Sequence, residues 1–257
     1  MSDKVMKLAL VTGGVRRLGA HIAGRLAQAG YTLALHGHSD AVPEDGLVST
    51  FDNCGTKWCG FVSDFGDDGA AGTLLDDVVH HFGCAPDLLI NNASVFDYDD
   101  AQTLDEASLE KHMKVNMMLP TLLTTALSGR LLGTQRAAVV NIIDQRVRNP
   151  NSDQLSYTLS KQALAASVRT LATACADRLR VNGVAPGLTI ETKDYGTGQM
   201  KRLANLMPLR RLSSPNDIAD AVCYLAEAQS VTGQIIFVDG GAHMKSFDRD
   251  FMFMEQR

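Results

Sequence analysis

The chain has 257 residues, of which 45% are hydrophobic and 21% charged, with a formal net charge of −5. This is an ordinary globular balance, able to bury a large core, and its sign gives no electrostatic case for nucleic-acid binding. No apolar run approaches the length needed to span a bilayer, and the run from Leu8 to Val11 breaks at Gly13-Gly14, too early for a signal peptide.

Residues Lys7 to Thr12 read as a short buried strand. It runs into a glycine turn, Gly13-Gly14-Val15-Arg16-Arg17-Leu18-Gly19, and then into helical spacing at Leu18, Ile22, Leu26 and Ala29. Gly30 suits the end of that helix, because glycine tolerates the left-handed conformation there. Tyr31 to His36 is a second apolar strand. Strand, glycine turn, helix, strand opens a βαβ unit, whose turn offers backbone N–H groups and a helix N-terminus to a phosphate. A polar loop over 37–43 and a short helix over 44–54 lead to a third strand, Trp58 to Val62, ending at Ser63-Asp64-Phe65. A helix over 67–82 follows, then a fourth strand, Asp87 to Ile90, opening into Asn91-Asn92-Ala93-Ser94. Thr103 with Glu106 three residues on is a capping-box pattern, and it predicts the start of a long helix carrying Asn116, with Pro120 as a kink.

Ala137 to Ile143 is a fifth strand, ending at Asp144. The helix that carries Tyr157 is predicted to run to about Arg178, and Arg180 to Val184 is a sixth strand, closed by Ala185-Pro186-Gly187. Thr189 to Arg211 reads as irregular, 215–226 as a helix, and Ile235 to Val238 as the last strand. The tail, 243–257, mixes charges with Phe247, Phe251, Met252, Phe253 and Met254. Apolar groups in a charged tail need cover, so a subunit contact is expected there. Strands and helices alternate with no linker and no repeat. This predicts one doubly wound, Rossmann-like α/β domain over 1–257 with a seven-stranded parallel sheet. Ligands bind beyond the carboxyl ends of such strands, where Gly13, His36, Asp64, Asn92, Asp144 and Pro186 fall.

Cys54, Cys59, Cys84, Cys175 and Cys223 show no metal-ligand spacing and fit free thiols in a reducing, cytoplasmic setting. The histidines show no zinc pattern, so no metal is expected. Tyr157 and Lys161, four apart on a predicted helix, share a face. A free phenol has a pKa of about 10. A fixed cation beside it favours the phenolate and lowers that value, which makes the phenol a usable proton donor.

Thr12-Gly13-x3-Arg17-x-Gly19, Asp64, Asn91-Asn92-Ala93, Asn116, Tyr157-x3-Lys161, Pro186-Gly187 and Asp239-Gly240-Gly241 occur in this order and cover nearly the whole chain. In this the chain resembles the short-chain dehydrogenase/reductase family. The resemblance implies an NADP(H)-binding fold, a small-molecule substrate, no membrane partner and a homotetramer. It implies that Tyr157 donates the proton, that Lys161 assists it and that Asn116 holds a relay water. Cofactor contacts are implied at Gly13, Arg16, Arg17, Leu18, Gly19, His36, His38, Ser39, Asp64, Phe65, Asn92, Ala93, Ser94, Tyr157, Lys161, Pro186, Gly187 and Thr189. Residues 188–214 are implied to be the substrate loop.

Two departures narrow the resemblance. Most of the family has glycine where this chain has Arg17 and serine where it has Asp144. Both departures are similar to the pteridine reductases and the bacterial dihydromonapterin reductases. Asn91-Asn92-Ala93-Ser94-Val95-Phe96 also looks like their sequence, in which the aromatic stacks on the pterin. Arg17, Ser94, Phe96, Asp144 and Tyr157 are therefore expected to contact a reduced pterin. NADPH is expected over NADH, because the end of the second strand carries His36, His38 and Ser39 in place of an acid, with Arg16 in reach. Asp40 and Glu44, anionic and close by, oppose that choice. The alternatives are a carbonyl reductase of the same family, acting on acyl thioesters or sugars, and a non-catalytic dinucleotide-binding regulator.

Overall fold

The computed structural model describes residues 7–193 and 195–256. Its strands are β1 (Leu8–Val11), β2 (Thr32–Gly37), β3 (Trp58–Val62), β4 (Leu88–Asn91), β5 (Ala137–Ile142), β6 (Leu179–Pro186) and β7 (Ile235–Val238). They pair in the order β3-β2-β1-β4-β5-β6-β7, every pair parallel. The chain winds outward from β1 through β2 and β3, then returns to pair β4 on the other side of β1. That reversal opens a crevice at the carboxyl ends of β1 and β4, where ligands of such sheets sit.

A parallel sheet is covered on both faces, so its strands must be apolar throughout. Successive side chains leave a strand on opposite faces. Ala9, Val11, Leu33 and Leu35 accordingly pack into one core, beneath α1 (Arg17–Gln28), α2 (Asp45–Cys54) and α8 (Pro215–Glu227). Leu8, Leu10, Leu89 and Val139 pack into the other, beneath α3 (Ala70–Phe82), α5 (Leu119–Arg130) and the far end of α6 (Leu155–Ala174).

Several elements differ from the sequence reading. The predicted long helix is broken into α4 (Glu106–Met113), a π turn (Lys114–Met118) and α5. Its cap is Asp105, which accepts from the Ser108 N–H at 2.8 Å. Thr103 belongs instead to the preceding turn, where the Asp100 carboxylate accepts from its N–H and its hydroxyl. The irregularity precedes Pro120: the Leu119 N–H bonds five residues back, to Lys114. Pro120 itself lies in the first turn of α5, where a missing N–H costs little. Helix α6 stops at Ala174, short of Arg178.

Residues 189–211, read as irregular, contain α7 (Gln199–Leu206). Its Leu203 packs with Met207, Ala242 and Phe251, with Phe247 and Met254 against them. Phe251 thus finds cover within its own chain, while Phe247, Met252, Phe253 and Met254 are half-buried. Gln199 fixes the arrangement by donating to the carbonyls of Phe251, Met252 and Met254. Among the described residues no helix is long and apolar enough to cross a membrane.

Candidate active site

A cleft of about 1000 Å³ opens at the carboxyl ends of the strands. Of the residues expected at a cofactor or substrate, all but Asp64, Phe65 and Asn116 border it.

The glycine turn forms one wall. Gly13 has φ +59°, and a Cβ on Gly19 would lie 1.9 Å from the Gly13 carbonyl oxygen, so no larger residue fits there. The turn is tied to the switch point. Thr12 Oγ1 accepts from the Asn92 and Ala93 N–H groups, and Asn92 Nδ2 donates to the Thr12 and Gly13 carbonyls. His36 borders the cleft, but both its nitrogens are spent inside the protein. Nδ1 accepts from the Gly13 N–H at 3.1 Å, so Nε2 carries the hydrogen and donates to the Ser63 carbonyl at 2.9 Å. Phe65 stacks on the ring with centroids 4.1 Å apart. Burial holds the imidazole neutral, pushing its pKa down to about 4. His36, expected at the cofactor, therefore secures the turn. Asp64 accepts from the Gly66 N–H and lies 3.4 Å from His38.

The two arginines of the turn differ. Arg16 Nη2 donates to both Asp40 oxygens at 2.7 Å, so the opposing acid does engage it. Arg17 is exposed, has φ +53°, and has no side-chain partner among the described residues. A non-glycine residue at positive φ is a strained position of the kind that clusters at functional sites. Helix α1 starts there with no side-chain cap and no acid in its first turn.

The opposite wall is built from β5 and α6. Tyr157 and Lys161 lie on the buried face of α6, 7% and 2% exposed, while Leu159 between them is 41% exposed. Tyr157 Oη donates to Asp144 Oδ2 at 2.9 Å. Lys161 Nζ donates to the Ile142 carbonyl at 2.9 Å and lies 5.6 Å from the Tyr157 ring centre. Burial lowers the Lys161 pKa to about 8. The expectation that a cation lowers the Tyr157 pKa is reversed. Burial, and then the Asp144 carboxylate, push it well above the usual phenol value, against the pull of Arg146. The phenol is hydrogen-bonded to an anion, and that favours the protonated form.

Phe96 stands edge-on to Tyr157, with centroids 4.6 Å apart and planes at 88°, and is 44% exposed. Asn116 is fully buried and saturated. It accepts from Ser94 Oγ and the Val95 N–H, and donates to the Val95 carbonyl and Ser160 Oγ. Its side chain fixes the Ser94–Phe96 segment against α6. On the far side Thr189 Oγ1 donates to the Gly187 carbonyl at 2.8 Å.

Arg146, Gln154 and Asp250 also border the cleft and were not expected there. Arg146 follows Asp144 by two residues, which was the only local signal. Its partner Asp250 lies 104 residues away, in a tail read as covering a subunit contact.

Known proteins resemble this chain along most of its length. A family model described as enoyl-(acyl carrier protein) reductase matches residues 14–243. Pteridine reductase 1 of Leishmania tarentolae is 30% identical over 277 residues, covering 91% of this chain and 96% of that protein. The 3-oxoacyl-(acyl-carrier-protein) reductase FabG of Staphylococcus aureus is 27% identical over 246 residues, covering 94% and 100%. Among solved structures, FolM alternative dihydrofolate reductase 1 of Brucella canis, complexed with NADP, is 35% identical. It superposes with a TM-score of 0.85 over 95% of this chain and 96% of that one.

Proposed function

The chain belongs to the short-chain dehydrogenase/reductase family, and we propose that within it the protein is an NADPH-dependent reductase of a reduced pterin, of the dihydromonapterin, dihydrobiopterin or dihydrofolate type. The observation that carries the proposal is the 2.9 Å hydrogen bond from Tyr157 to Asp144, where most of the family has serine. A serine hydroxyl suffices for a simple carbonyl. A carboxylate can in addition accept from the 2-amino group of a pterin and share a proton with the phenol.

The cleft fits a phosphate-bearing dinucleotide. The glycine turn leaves room for backbone approach, and Arg17 and the uncapped start of α1 offer positive charge. Gly13, Leu18 and Gly19 would hold the phosphates. Asn92, Ala93, Ser94, Lys161, Pro186, Gly187 and Thr189 would hold the nicotinamide half. Arg16, His38 and Ser39 would meet the 2′-phosphate. The B. canis structure, complexed with NADP, supports this choice. NADPH supplies the hydride for a C=N bond of the substrate. Tyr157 keeps its proton at Oη until a ring nitrogen takes it, and Asp144 shares that proton. The phenolate left behind faces two buried cations, Lys161 and Arg146. Phe96 would cover one face of the flat ring. A homotetramer, implied by the family, and a cytoplasmic setting, implied by the free thiols, go with this reading, and sedimentation equilibrium tests the assembly.

A second reading, reduction of a 3-oxoacyl thioester, is favoured by the S. aureus relative, which aligns over its whole length. A panel of dihydromonapterin, dihydrobiopterin, dihydrofolate and a 3-oxoacyl thioester under NADPH separates the two. A dihydropterin should give the highest kcat/KM; a preference for the thioester overturns the proposal.

A further inference from the structure

Arg146 is only 5% exposed, and a guanidinium is costly to bury without partners. Its partners lie at the cleft. Nη2 donates to Asp250 Oδ2 at 2.5 Å and Nη1 to Gln154 Oε1 at 3.1 Å. Nε lies 3.4 Å from Asp144 Oδ1, the same oxygen that accepts from the Arg146 backbone N–H at 2.8 Å. The guanidinium carbon is 5.1 Å from the centre of the Tyr157 ring and 5.5 Å from that of Phe96. One side chain therefore touches the carboxylate, the phenol and the aromatic wall of the proposed substrate site.

Asp250 comes from the C-terminal tail and is itself buried. Its backbone N–H donates to Asp153 Oδ2 at 2.7 Å, its Oδ1 accepts from the Met252 N–H, and the neighbouring Arg249 pairs with Asp153 at 2.8 Å. The tail is thus clamped to the loop that precedes α6, and from there its carboxylate faces Arg146. Buried ion pairs contribute little net stability, yet the planar fork of an arginine fixes orientation well.

We propose that Arg146 is the positioning residue of this cleft, setting Tyr157, Asp144 and Phe96 relative to one another, and that Asp250 of the tail is the counter-ion that holds it in place. The tail then governs turnover although no hydrogen bond joins Asp250 to Tyr157 or Asp144 among the described residues. The charged groups around the phenol are Asp144, Arg146, Asp250 and, on its own helix, Lys161; Asp153 stands behind Arg146. The inference rests on this cleft being the reductase site, and not on the pterin.

The test uses the full-length protein and the variants Asp250→Asn, Asp250→Glu and Arg146→Lys. NADPH affinity is read by fluorescence titration, and kcat and KM are measured on the best substrate of the panel. Misplacement of reacting groups by about 1 Å can cost on the order of a hundredfold. Asp250→Asn should lower kcat by roughly tenfold to a hundredfold while NADPH affinity holds. Asp250→Glu should recover most of the loss. Arg146→Lys keeps the charge but loses the fork and the stacking, and should resemble Asp250→Asn. An unchanged kcat in Asp250→Asn overturns the inference. So does a parallel loss of NADPH binding that Asp250→Glu does not relieve, since Asp250 would then be holding the fold. Failure of the pterin reading shows separately, in the wild-type substrate ranking.

Discussion

Tyr157 is held in the state of a proton donor. Burial and the Asp144 carboxylate both favour the protonated phenol, while burial of Lys161 brings its pKa down to about 8. A reductase working near neutral pH needs the proton on the phenol and the charge on the lysine. As pH rises through about 8, Lys161 loses its charge and the phenolate left by proton transfer loses a partner. A pH profile of kcat should accordingly decline on its alkaline side near that value. Tyr157→Phe keeps the ring against Phe96 and removes the proton, so kcat should fall by about 10²–10⁴, with NADPH still bound in a fluorescence titration. Arg16 leads to a cofactor prediction. The wild type should prefer NADPH, but Asp40 engages the arginine that would meet the 2′-phosphate. Both side chains are about half exposed, so solvent screens the pair. Asp40→Asn should therefore raise the NADPH-to-NADH ratio of kcat/KM by roughly two- to fivefold; an unchanged ratio would show that Arg16 does not read the phosphate. Tyr157, Lys161 and Asp144 were legible in the sequence because they lie close together on one strand end and one helix. Arg146 was not, because its meaning depends on a carboxylate 104 residues downstream.

At the level of elements, the π turn at Lys114–Met118 carries the buried Asn116. It brings Asn116 into the interior with four hydrogen-bond partners on two other segments. Inserted π turns often mark functional sites. Asn116→Ala would take from the Val95 N–H its acceptor and from Ser160 one of its two partners, an unpaired buried group costing about 1–3 kcal/mol. Thermal unfolding should show a loss of several degrees, since about 1 kcal/mol moves the midpoint of a chain this size by roughly 2–4 °C. A midpoint within a degree of wild type would mean that water replaces the side chain. The strands were read almost to the residue, because a parallel sheet buried on both faces demands continuous apolar runs. The breaks in helices were harder. The Thr103 pattern had the right spacing, yet the Asp100 carboxylate claimed that residue for a turn, and Asp105 capped the helix. Helix α7 was missed because its apolar face meets the tail and not the sheet.

For the whole molecule, the glycine turn and the end of the third strand are joined through one neutral histidine. His36 would take up a proton near pH 6.5 in the unfolded chain but only near about 4 when folded. A depressed folded value means that the stability it contributes is complete above about 6.5 and is lost as pH falls toward 4. A shift of this size corresponds to about 3 kcal/mol. Urea midpoints of the wild type should fall across that window, and those of His36→Gln should fall less; parallel curves would contradict the role given to His36. Five of the seven strands deliver residues to the one cleft, and the proposed chemistry turns on the departure at the end of β5. The most direct measurement is the ratio of kcat/KM for a dihydropterin to that for an activated ketone, in the wild type and in Asp144→Ser. The account predicts that the substitution lowers dihydropterin reduction by about a hundredfold, within the range for acid–base groups, and leaves ketone reduction unchanged or faster. A ratio that does not move would contradict it and return the protein to the carbonyl reductases of its family.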